Sequence, residues 1–353
     1  MAKVLALKIL IAGYYSAFWH EGAWAKALRE LGHDVIEFPF KDYFSDGVLG
    51  RLQNRLLLGP AVAKVNQDLI HCVENTKPDI MVCYRALPLT AATIKRLSLL
   101  KGGPITVCYN NDNAFGELRG KSYWRLFKAA IPYYDLHLAY RDSDLPHLGN
   151  DVKAYVLHPH SMPWLHRVLP QPELTDWQSD ICFLGHFEPD RRQHELDTLM
   201  KNLPATYSLH GSLWHKYSKG MAWEGMATNE LQGEDYVRAL NGAKIALVFF
   251  STWNSDTFTR RVFEIPACGT MMLSKRTDTM LELYAEDKEA VYYSDADELI
   301  DKARYYLNND AARQRIAEAG LKRCQTSGYD IFSRMREWLA VAEPIVAAKR
   351  LSQ

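Results

Sequence analysis

The sequence predicts an α/β protein of two domains, each built on a mostly parallel β-sheet. Short apolar runs alternate with amphipathic segments along most of the 353 residues, as in successive strand–helix–strand units. A chain of this length usually exceeds what one hydrophobic core serves. A segment without periodicity, at residues 159–177, carries four prolines and divides the alternation into two halves. It has the composition of an inter-domain linker.

The first half opens with an apolar run at residues 7–13, followed by a helical pattern at 23–31 that Gly32 ends. Lys8 interrupts the apolar stretch, which favours a buried first strand over a signal peptide. We expect this half to form a domain over residues 1–160. Its further strands are predicted at 34–38, 79–84, 104–109, 136–140 and 152–157, and its further helices at 52–76 and 90–100.

The second half repeats the alternation, and we expect a domain over residues 178–335. Its strands are predicted at 180–185, 206–211, 243–250, 270–274 and 290–293, and its helices at 193–203, 234–241 and 259–268. The chain is then almost all helix, and the last helix, 336–353, can pack back on the first domain. The predicted architecture is two Rossmann-like domains that face each other across a cleft, with a helical C-terminal tail.

Composition excludes several classes of protein. Lys plus Arg equals Asp plus Glu, at 42 each, so no net charge attracts nucleic acid or an anionic membrane, which leaves only a local basic patch open. No run of 18 uncharged apolar residues occurs, so we expect no membrane span. The 6 cysteines include no Cys-x-x-Cys pair, which is typical of a reduced, cytoplasmic protein without a structural zinc site.

The segment at residues 249–269 is the richest in candidate chemistry. A predicted buried strand ends there, a polar loop follows, and a helix begins, which is the edge of an open α/β sheet where ligands bind. Free backbone N–H groups at a helix start, with Arg260 and Arg261 beside them, suit a diphosphate. Arg261 and Glu264 lie three residues apart on one helical face, and a carboxylate there can accept two sugar hydroxyls. A surface Arg–Glu ion pair is the alternative.

The run TRRVFEIPACGTMMLS at residues 259–274 resembles the signature of GT-B-fold glycosyltransferases, specifically the spore-maturation (CgeB-like) branch with a glycosyltransferase group 1-like C-terminal domain. The resemblance is strong over residues 235–340 and weaker over 180–215. It implies a GT-B architecture and the transfer of a sugar from a nucleotide-diphosphate sugar to an acceptor. The acceptor can be a glycan, a small molecule, a protein or a nucleic acid.

The same resemblance implies which residues hold the donor. Two acidic residues in the family pattern match Glu264, expected on the ribose, and Asp256, expected on the sugar and one methylene shorter than the usual glutamate. Arg261 matches the arginine that precedes the acidic residue. The donor-binding residues predicted in this loop are Asp256, Thr257, Thr259, Arg260, Arg261 and Glu264.

A second loop, at residues 185–192, follows another predicted strand. Its glycine allows the backbone to approach a phosphate closely, so Gly185, His186 and Arg191 are candidates for the diphosphate. A helix-capping loop with solvated arginines is the alternative. Further on, Gly211 could permit close approach and Trp214 could stack on a nucleotide base, against the alternative of a core tryptophan.

The first predicted domain offers candidates for a catalytic base. The loop after its first strand lacks a Gly-x-Gly-x-x-Gly motif, which argues against an NAD enzyme. His20 or Glu21 in this loop could take a proton from the acceptor hydroxyl, unless Glu21 only complements a helix dipole. Asp112, after the strand at 104–109, is the second candidate, with a turn-forming role as its alternative.

We predict neither a metal ion nor another cofactor. Asp142-x-Asp144 and Asp295-x-Asp297 match the Asp-x-Asp of metal-dependent transferases, but neither follows a strand into a donor loop. Arginines would then stabilise the departing diphosphate. Two other functions stay open: a nucleotide-sugar epimerase or hydrolase of the same architecture, and a non-catalytic nucleotide-sugar-binding paralogue.

Overall fold

The structure, a computed structural model, describes residues 6–116 and 122–351. These residues divide into two compact units. The first unit takes the described residues up to His158 and those from Ile331 onward, and the second takes Pro159–Asp330. Each unit has one parallel sheet with helices packed on it, so the predicted α/β class is confirmed.

The sheet of the first unit has the strand order β2-β1-β3-β4-β5-β6, and every described neighbouring pair is parallel. Its central strands are continuous apolar runs that are buried on both faces, as parallel sheets require. The elements are β1 Lys8–Gly13, α1 Glu21–Glu30, β2 Asp34–Pro39, α2 Val48–Leu56, α3 Pro60–Thr76, β3 Ile80–Tyr84, α4 Ala91–Ser98, β4 Ile105–Asn110, α5 Arg125–Ala130, β5 Leu136–Ala139 and β6 Ala154–Val156.

The helix predicted at 52–76 is two helices, α2 and α3, because the backbone between them turns left-handed. Leu57 and Gly59 have φ values of 50° and 98°, and Pro60 begins α3 without needing an N–H donor. The Gly59-Pro60 pair carries the signal for this break.

The sheet of the second unit has the order β11-β10-β9-β7-β8, again parallel at every described pair. Alternate residues of its strands, such as Ile181, Leu247 and Leu273, form a core with the helices packed on one face of the sheet. The elements are β7 Ser179–Leu184, α6 Arg191–Asn202, β8 Tyr207–His210, α7 Gly233–Gly242, β9 Ala243–Val248, α8 Arg261–Ala267, β10 Met271–Lys275, α9 Asp278–Leu283, β11 Val291–Tyr293, α10 Ala296–Leu307 and α11 Asp310–Thr326.

The final helix, α12 Ile331–Leu351, belongs to the first unit, on which it packs against α1 and β4. The Trp338 side chain stacks on Trp24 of α1, with ring centroids 6.0 Å apart. Lys349 donates hydrogen bonds to the carbonyls of Ser98 and Pro104 at 2.7 and 2.6 Å. The predicted tail helix therefore begins five residues earlier than expected, and residues 352–353 of that prediction lie outside the described ranges.

The segment 159–177, predicted as a linker, is part of the second unit. Its last turn packs on α7 so closely that a Cβ on Gly242 would lie 2.2 Å from the Trp177 carbonyl oxygen. The proline spacing that suggested a linker instead marks an irregular segment that covers α7. Within the described ranges, no helix has both the length and the apolar composition needed to cross a bilayer.

Candidate functional site

The carboxyl edge of the second unit's sheet contains a switch point between β7 and β9. These strands are neighbours, but the chain leaves β7 toward β8 on one side and β9 toward β10 on the other. The loops at residues 185–190 and 249–260 therefore separate above the strand ends. Such a crevice is where ligands bind in open α/β sheets.

Glu188 holds these two loops together. Its carboxylate, with the residue only 3% exposed, accepts hydrogen bonds from Ser251 Oγ at 2.7 Å and Arg192 Nη2 at 2.7 Å, and lies 2.8 Å from His186 Nε2. Burial raises the pKa of Glu188, but the hydrogen bond from His186 and the charge of Arg192 outweigh it and lower that pKa overall. A buried carboxylate thus fixes the spacing of the crevice walls.

The sequence prediction did not include Glu188 or Arg192. Arg192 is buried and also contacts Asp190, which caps α6 by accepting the Arg192 backbone N–H at 3.0 Å. The alternating acids and bases directly after a buried strand were the signal that could have identified them. His186, predicted for the diphosphate, serves Glu188 with one ring nitrogen and keeps more than half of its side chain exposed.

A cavity of about 540 Å³ lies beside this network, in the size range of small-molecule sites. Two predicted donor residues, Arg191 and Asp256, line the cavity. The sequence prediction missed Lys275 at the end of β10 and the Arg276 and Thr277 that follow it, which also line the cavity. Lys275 pairs with Glu195 at 3.1 Å, whereas Arg191 has no ion pair with any described residue. The lining comprises Arg191, Arg192, Glu195, Phe249, Phe250, Ser251, Thr252, Ser255, Asp256, Lys275, Arg276, Thr277 and Tyr293.

Arg261 is the first residue of α8 and points toward the switch point. Its guanidinium lies 5.8 Å from the centre of the Phe183 ring, and a Cβ on Gly185 would lie 3.3 Å from its Nη1. Within the part of the chain that the structure describes, the buried Nε of Arg261 has no hydrogen-bond partner. Burial is the main cause that lowers the pKa of Arg261, so an anion placed here would gain from the charge.

The cation that contacts Glu264 is Arg260 and not Arg261, so the ion pair considered as the alternative has the wrong arginine. Arg260 Nε lies 2.6 Å from Glu264 Oε1, and the Tyr236 hydroxyl donates to Oε2 at 2.6 Å. The i,i+4 spacing allows this contact, whereas Arg261 is directed to β7. Glu264 is 2% exposed, so the surface ion pair considered as the alternative is also wrong.

His166 completes the surroundings of Glu264. Its Nε2 lies 3.8 Å from Glu264 Oε1, while its Nδ1 accepts the Met162 backbone N–H at 2.9 Å. Burial lowers the pKa of His166 to about 4, so the ring is neutral at neutral pH. Burial raises the pKa of Glu264, but the charge of Arg260 and the hydrogen bond from the Tyr236 hydroxyl outweigh it and lower that pKa below its usual range. Glu264 is therefore an ionised carboxylate with fixed neighbours.

Trp214 does not fit the predicted stacking on a base. It is 0% exposed, packs on Phe183 and Phe187, and its Nε1 donates to the Gly185 carbonyl at 2.7 Å. Gly211 does allow a close approach, but of that same carbonyl: a Cβ on Gly211 would lie 2.0 Å from the Gly185 oxygen. Both residues shape the loop after β7 from within the core.

The two predicted threonines brace the loop after β9. Thr259 Oγ1 accepts the Arg261 backbone N–H at 3.2 Å at the start of α8. Thr257 accepts hydrogen bonds from Thr277 and Thr279, at 2.7 and 3.0 Å, and so ties the loop to the start of α9.

In the first unit, all three base candidates lie at the carboxyl edge of the sheet. Glu21, 2% exposed, accepts the Tyr14 backbone N–H at 2.9 Å through Oε1, while its buried Oε2 has no hydrogen-bond partner in the described residues. Burial raises the pKa of Glu21, although hydrogen bonds from backbone N–H groups and the charge of nearby Arg85 act to lower it. The carboxylate lies over Gly13, where a Cβ would come within 2.5 Å of it.

The other two candidates have partners of their own. His20 Nδ1 lies 3.0 Å from the Tyr84 hydroxyl, and Asp112 Oδ2 lies 2.8 Å from Arg85 Nη2. Arg85, which the sequence prediction missed, follows β3 with φ of 46°. Neighbouring strands β1, β3 and β4 thus bring together residues that are far apart in the sequence.

No group of three or more His, Cys, Asp and Glu side chains in the described ranges is arranged to hold a metal ion.

Solved structures resemble this chain over nearly its whole length. Sucrose-phosphate synthase from Thermosynechococcus elongatus gives a TM-score of 0.71 at 12% identity, covering 97% of this chain and 100% of that chain. HepE from Anabaena, crystallised with UDP and glucose, gives a TM-score of 0.66 at 14% identity, covering 96% of this chain and 100% of that chain. A glycosyltransferase from Rickettsia africae gives a TM-score of 0.66 at 13% identity, covering 97% of this chain and 99% of that chain. The fold is GT-B. The architecture that the resemblance implied is confirmed.

A sequence family matches the second half of the chain. Residues 191–340 match the family described as glycosyl transferase-like, a range that includes the loop after β9 and all of α8. It therefore includes Arg261 and Glu264. No curated protein matches the chain significantly.

Proposed function

We propose that this protein transfers a glycosyl group from a nucleoside-diphosphate sugar to an acceptor, without a metal ion or other cofactor. The observation that carries the proposal is Arg261, a cation at the switch point whose buried Nε has no acceptor among the described residues. A diphosphate would supply both hydrogen-bond acceptors and counter-charge. The glycosyl transferase-like match over 191–340 and the GT-B fold support the same chemistry. Membership of the CgeB-like branch is part of the proposal and rests on the run at 259–274.

Fixed cations take the place of a metal in this proposal. The negative charge that develops on a departing diphosphate must be stabilised in the transition state. Arg261 is directed to the crevice, and Arg191 lines the neighbouring cavity without an ion pair to a described residue. Neither arginine forms an ion pair with a carboxylate of the described residues, so both can contribute positive charge to a diphosphate.

Glu264 would hold the ribose and Asp256 the transferred sugar. A carboxylate has about four lone-pair directions, of which Arg260 and Tyr236 occupy two on Glu264. The neutral His166 ring lies beside the same carboxylate, with its Nε2 3.8 Å from Oε1. Asp256 lines the 540 Å³ cavity, which has room for a hexose.

Glu21 is our candidate for the base. A base works best when its pKa approaches the operating pH, and burial moves the pKa of Glu21 in that direction. Its Oε2 also has a free lone pair among the described residues. Asp112 pairs with Arg85, and His20 contacts Tyr84, so each is already engaged.

The test is a thermal-shift and turnover experiment with UDP and UDP-sugars, each with and without EDTA. A ligand that binds only the native state raises the melting temperature. We expect UDP to stabilise the wild type equally in both conditions, and Arg261→Met to lose that shift without a lower melting temperature of its own. The control is Arg304→Met, at an exposed arginine of α10, which should retain the shift.

The turnover assay separates the alternatives. An epimerase or hydrolase would consume the donor without an acceptor, and a non-catalytic paralogue would leave it intact under all conditions. Nucleotide binding abolished by EDTA would overturn metal independence. An Arg261→Met variant that keeps the full UDP shift would remove the main support for the donor site.

A further inference from the structure

Helix α2 turns its small and polar side to the protein and its apolar side outward, which is the opposite of an ordinary surface helix. Its small and polar face is turned to the protein: a Cβ on Gly50 would lie 2.2 Å from the Ser45 carbonyl, and Asn54 accepts a hydrogen bond from Tyr14 at 2.9 Å. Surface helices usually bury their apolar face. This one leaves that face uncovered.

The outward side is a continuous aliphatic stripe, which we name the α2 apolar face and define as Val48, Leu49, Leu52 and Leu56. Their exposed fractions are 76%, 68%, 48% and 47%. Because successive residues of an α-helix are about 100° apart around its axis, these four side chains fall within an arc of roughly 100°. Leu58, just beyond the helix, is also exposed, at 59%. Contiguous exposed aliphatic surface of this kind marks an interaction site.

Arginines border this face. Arg51 and Arg55 are exposed, lie on the flank of the stripe, and form no ion pair with any described residue. These two arginines are the only charged residues of α2, and Lys64, further on in α3, is already paired with Asp68 at 2.8 Å. The chain as a whole has a net charge of zero, so the two arginines give α2 a local positive charge.

The α2 apolar face is also held in place before any partner arrives. Arg125 donates to the carbonyls of Leu56 and Leu57 at 2.7 and 2.6 Å, and Gln53 accepts the Ala61 N–H at 2.9 Å. These hydrogen bonds fix the C-terminal end of α2, so binding of a partner would not have to order the helix.

We propose that α2 docks on the surface of an anionic phospholipid bilayer. The aliphatic side chains would enter the boundary between headgroups and acyl chains, and Arg51 and Arg55 would contact lipid phosphates. A second copy of the chain fits less well, because a symmetric contact would bring the same uncompensated arginines together. The inference concerns the first unit and does not depend on the proposed donor site.

The experiment is co-sedimentation of the full chain with phosphatidylcholine vesicles, with and without phosphatidylglycerol. We expect binding to the anionic vesicles, reduced by higher salt, and weak binding to pure phosphatidylcholine. Leu49→Glu/Leu52→Glu should lower the partition coefficient by about tenfold or more. Leu99→Glu is the matched control, since Leu99 is 73% exposed on the same unit; it should bind as the wild type does.

Three results would overturn the proposal: no binding to anionic vesicles, binding that the double substitution leaves unchanged, or a wild-type dimer in solution that this substitution dissociates. The last would assign the face to a second copy. Because the substituted residues are exposed, the melting temperature of the variant should equal that of the Leu99→Glu control, which excludes misfolding as the cause of lost binding.

Discussion

Glu21 shows how burial changes what one residue contributes. Because the folded chain raises its pKa above the ordinary glutamate value, the protonated form is favoured by folding. The stability from this group is complete below the unfolded-state pKa and is lost as the pH rises through the folded-state pKa. At neutral pH the ionised carboxylate therefore costs stability.

We predict that Glu21→Gln separates stability from activity. At neutral pH the variant should melt at a higher temperature than the wild type, and near pH 4 the difference should vanish. Glycosyl transfer should fall about 10²–10⁴-fold, the usual effect of removing a general base. Thermal melts across pH and a transfer assay measure the two effects.

The control is Glu30→Gln, at an exposed glutamate at the end of the same helix. This substitution should change neither the melting temperature nor the rate of glycosyl transfer. A Glu21→Gln variant that retains transfer would return the base assignment to His20 or Asp112. Lower stability at neutral pH would show that ionised Glu21 holds the loop together instead.

Single residues also mark the limit of sequence-based prediction. The spacing of Arg260, Arg261 and Glu264 could not show which arginine contacts Glu264, because that depends on where β7 lies beside α8. Trp214 was equally compatible with a stacking site and with the core. Only the packing around Phe183 and Phe187 decides between them.

At the scale of elements, Glu188 joins the two loops of the switch point. The Glu188→Ala substitution would leave Arg192 buried with fewer partners and remove the acceptor of the Ser251 hydroxyl. We expect a loss of about 3 kcal/mol in unfolding free energy, since breaking a buried ion pair strands the remaining charge. Because the loops would no longer be fixed, nucleoside-diphosphate affinity should fall as well.

Chemical denaturation and a binding titration with UDP measure these two losses. Glu282→Ala, at an exposed position of α9, is the matched control and should stay within about 0.5 kcal/mol of the wild type. If Glu188→Ala and Glu282→Ala behaved alike, the network would have no role in holding the crevice.

Elements were predictable where local patterns determine them. Buried strands such as β3 and β9 are continuous apolar runs bounded by turn residues, and the prediction placed them within about two residues. The break between α2 and α3 was missed although Gly59-Pro60 signals it. The local pattern of charges could point to Glu188 but not to its role, because its partner Ser251 lies 63 residues away in another loop.

At the scale of the molecule, the chain returns to its first unit after completing the second. The contact that secures this return is the stack of Trp338 on Trp24, in which both side chains are buried. We predict that Trp338→Ala lowers the unfolding free energy by about 3–5 kcal/mol, the usual cost of a large cavity in a core.

Denaturant titration measures this loss. Trp253→Ala, at a tryptophan that is 40% exposed, is the control and should cost much less. An equal cost for both would mean that α12 adds little to the first unit.

The return of α12 also determines when each unit can be completed during synthesis. The second unit is one continuous stretch, Pro159–Asp330, and has all its strands once the ribosome has passed it. The first unit must wait for Ile331–Leu351, although its own sheet was made first. Domains usually fold in the order of their synthesis, and here that order is reversed for the final step. Until then Trp24 lacks the Trp338 ring that covers it in the folded chain, so the nascent chain exposes apolar surface on α1.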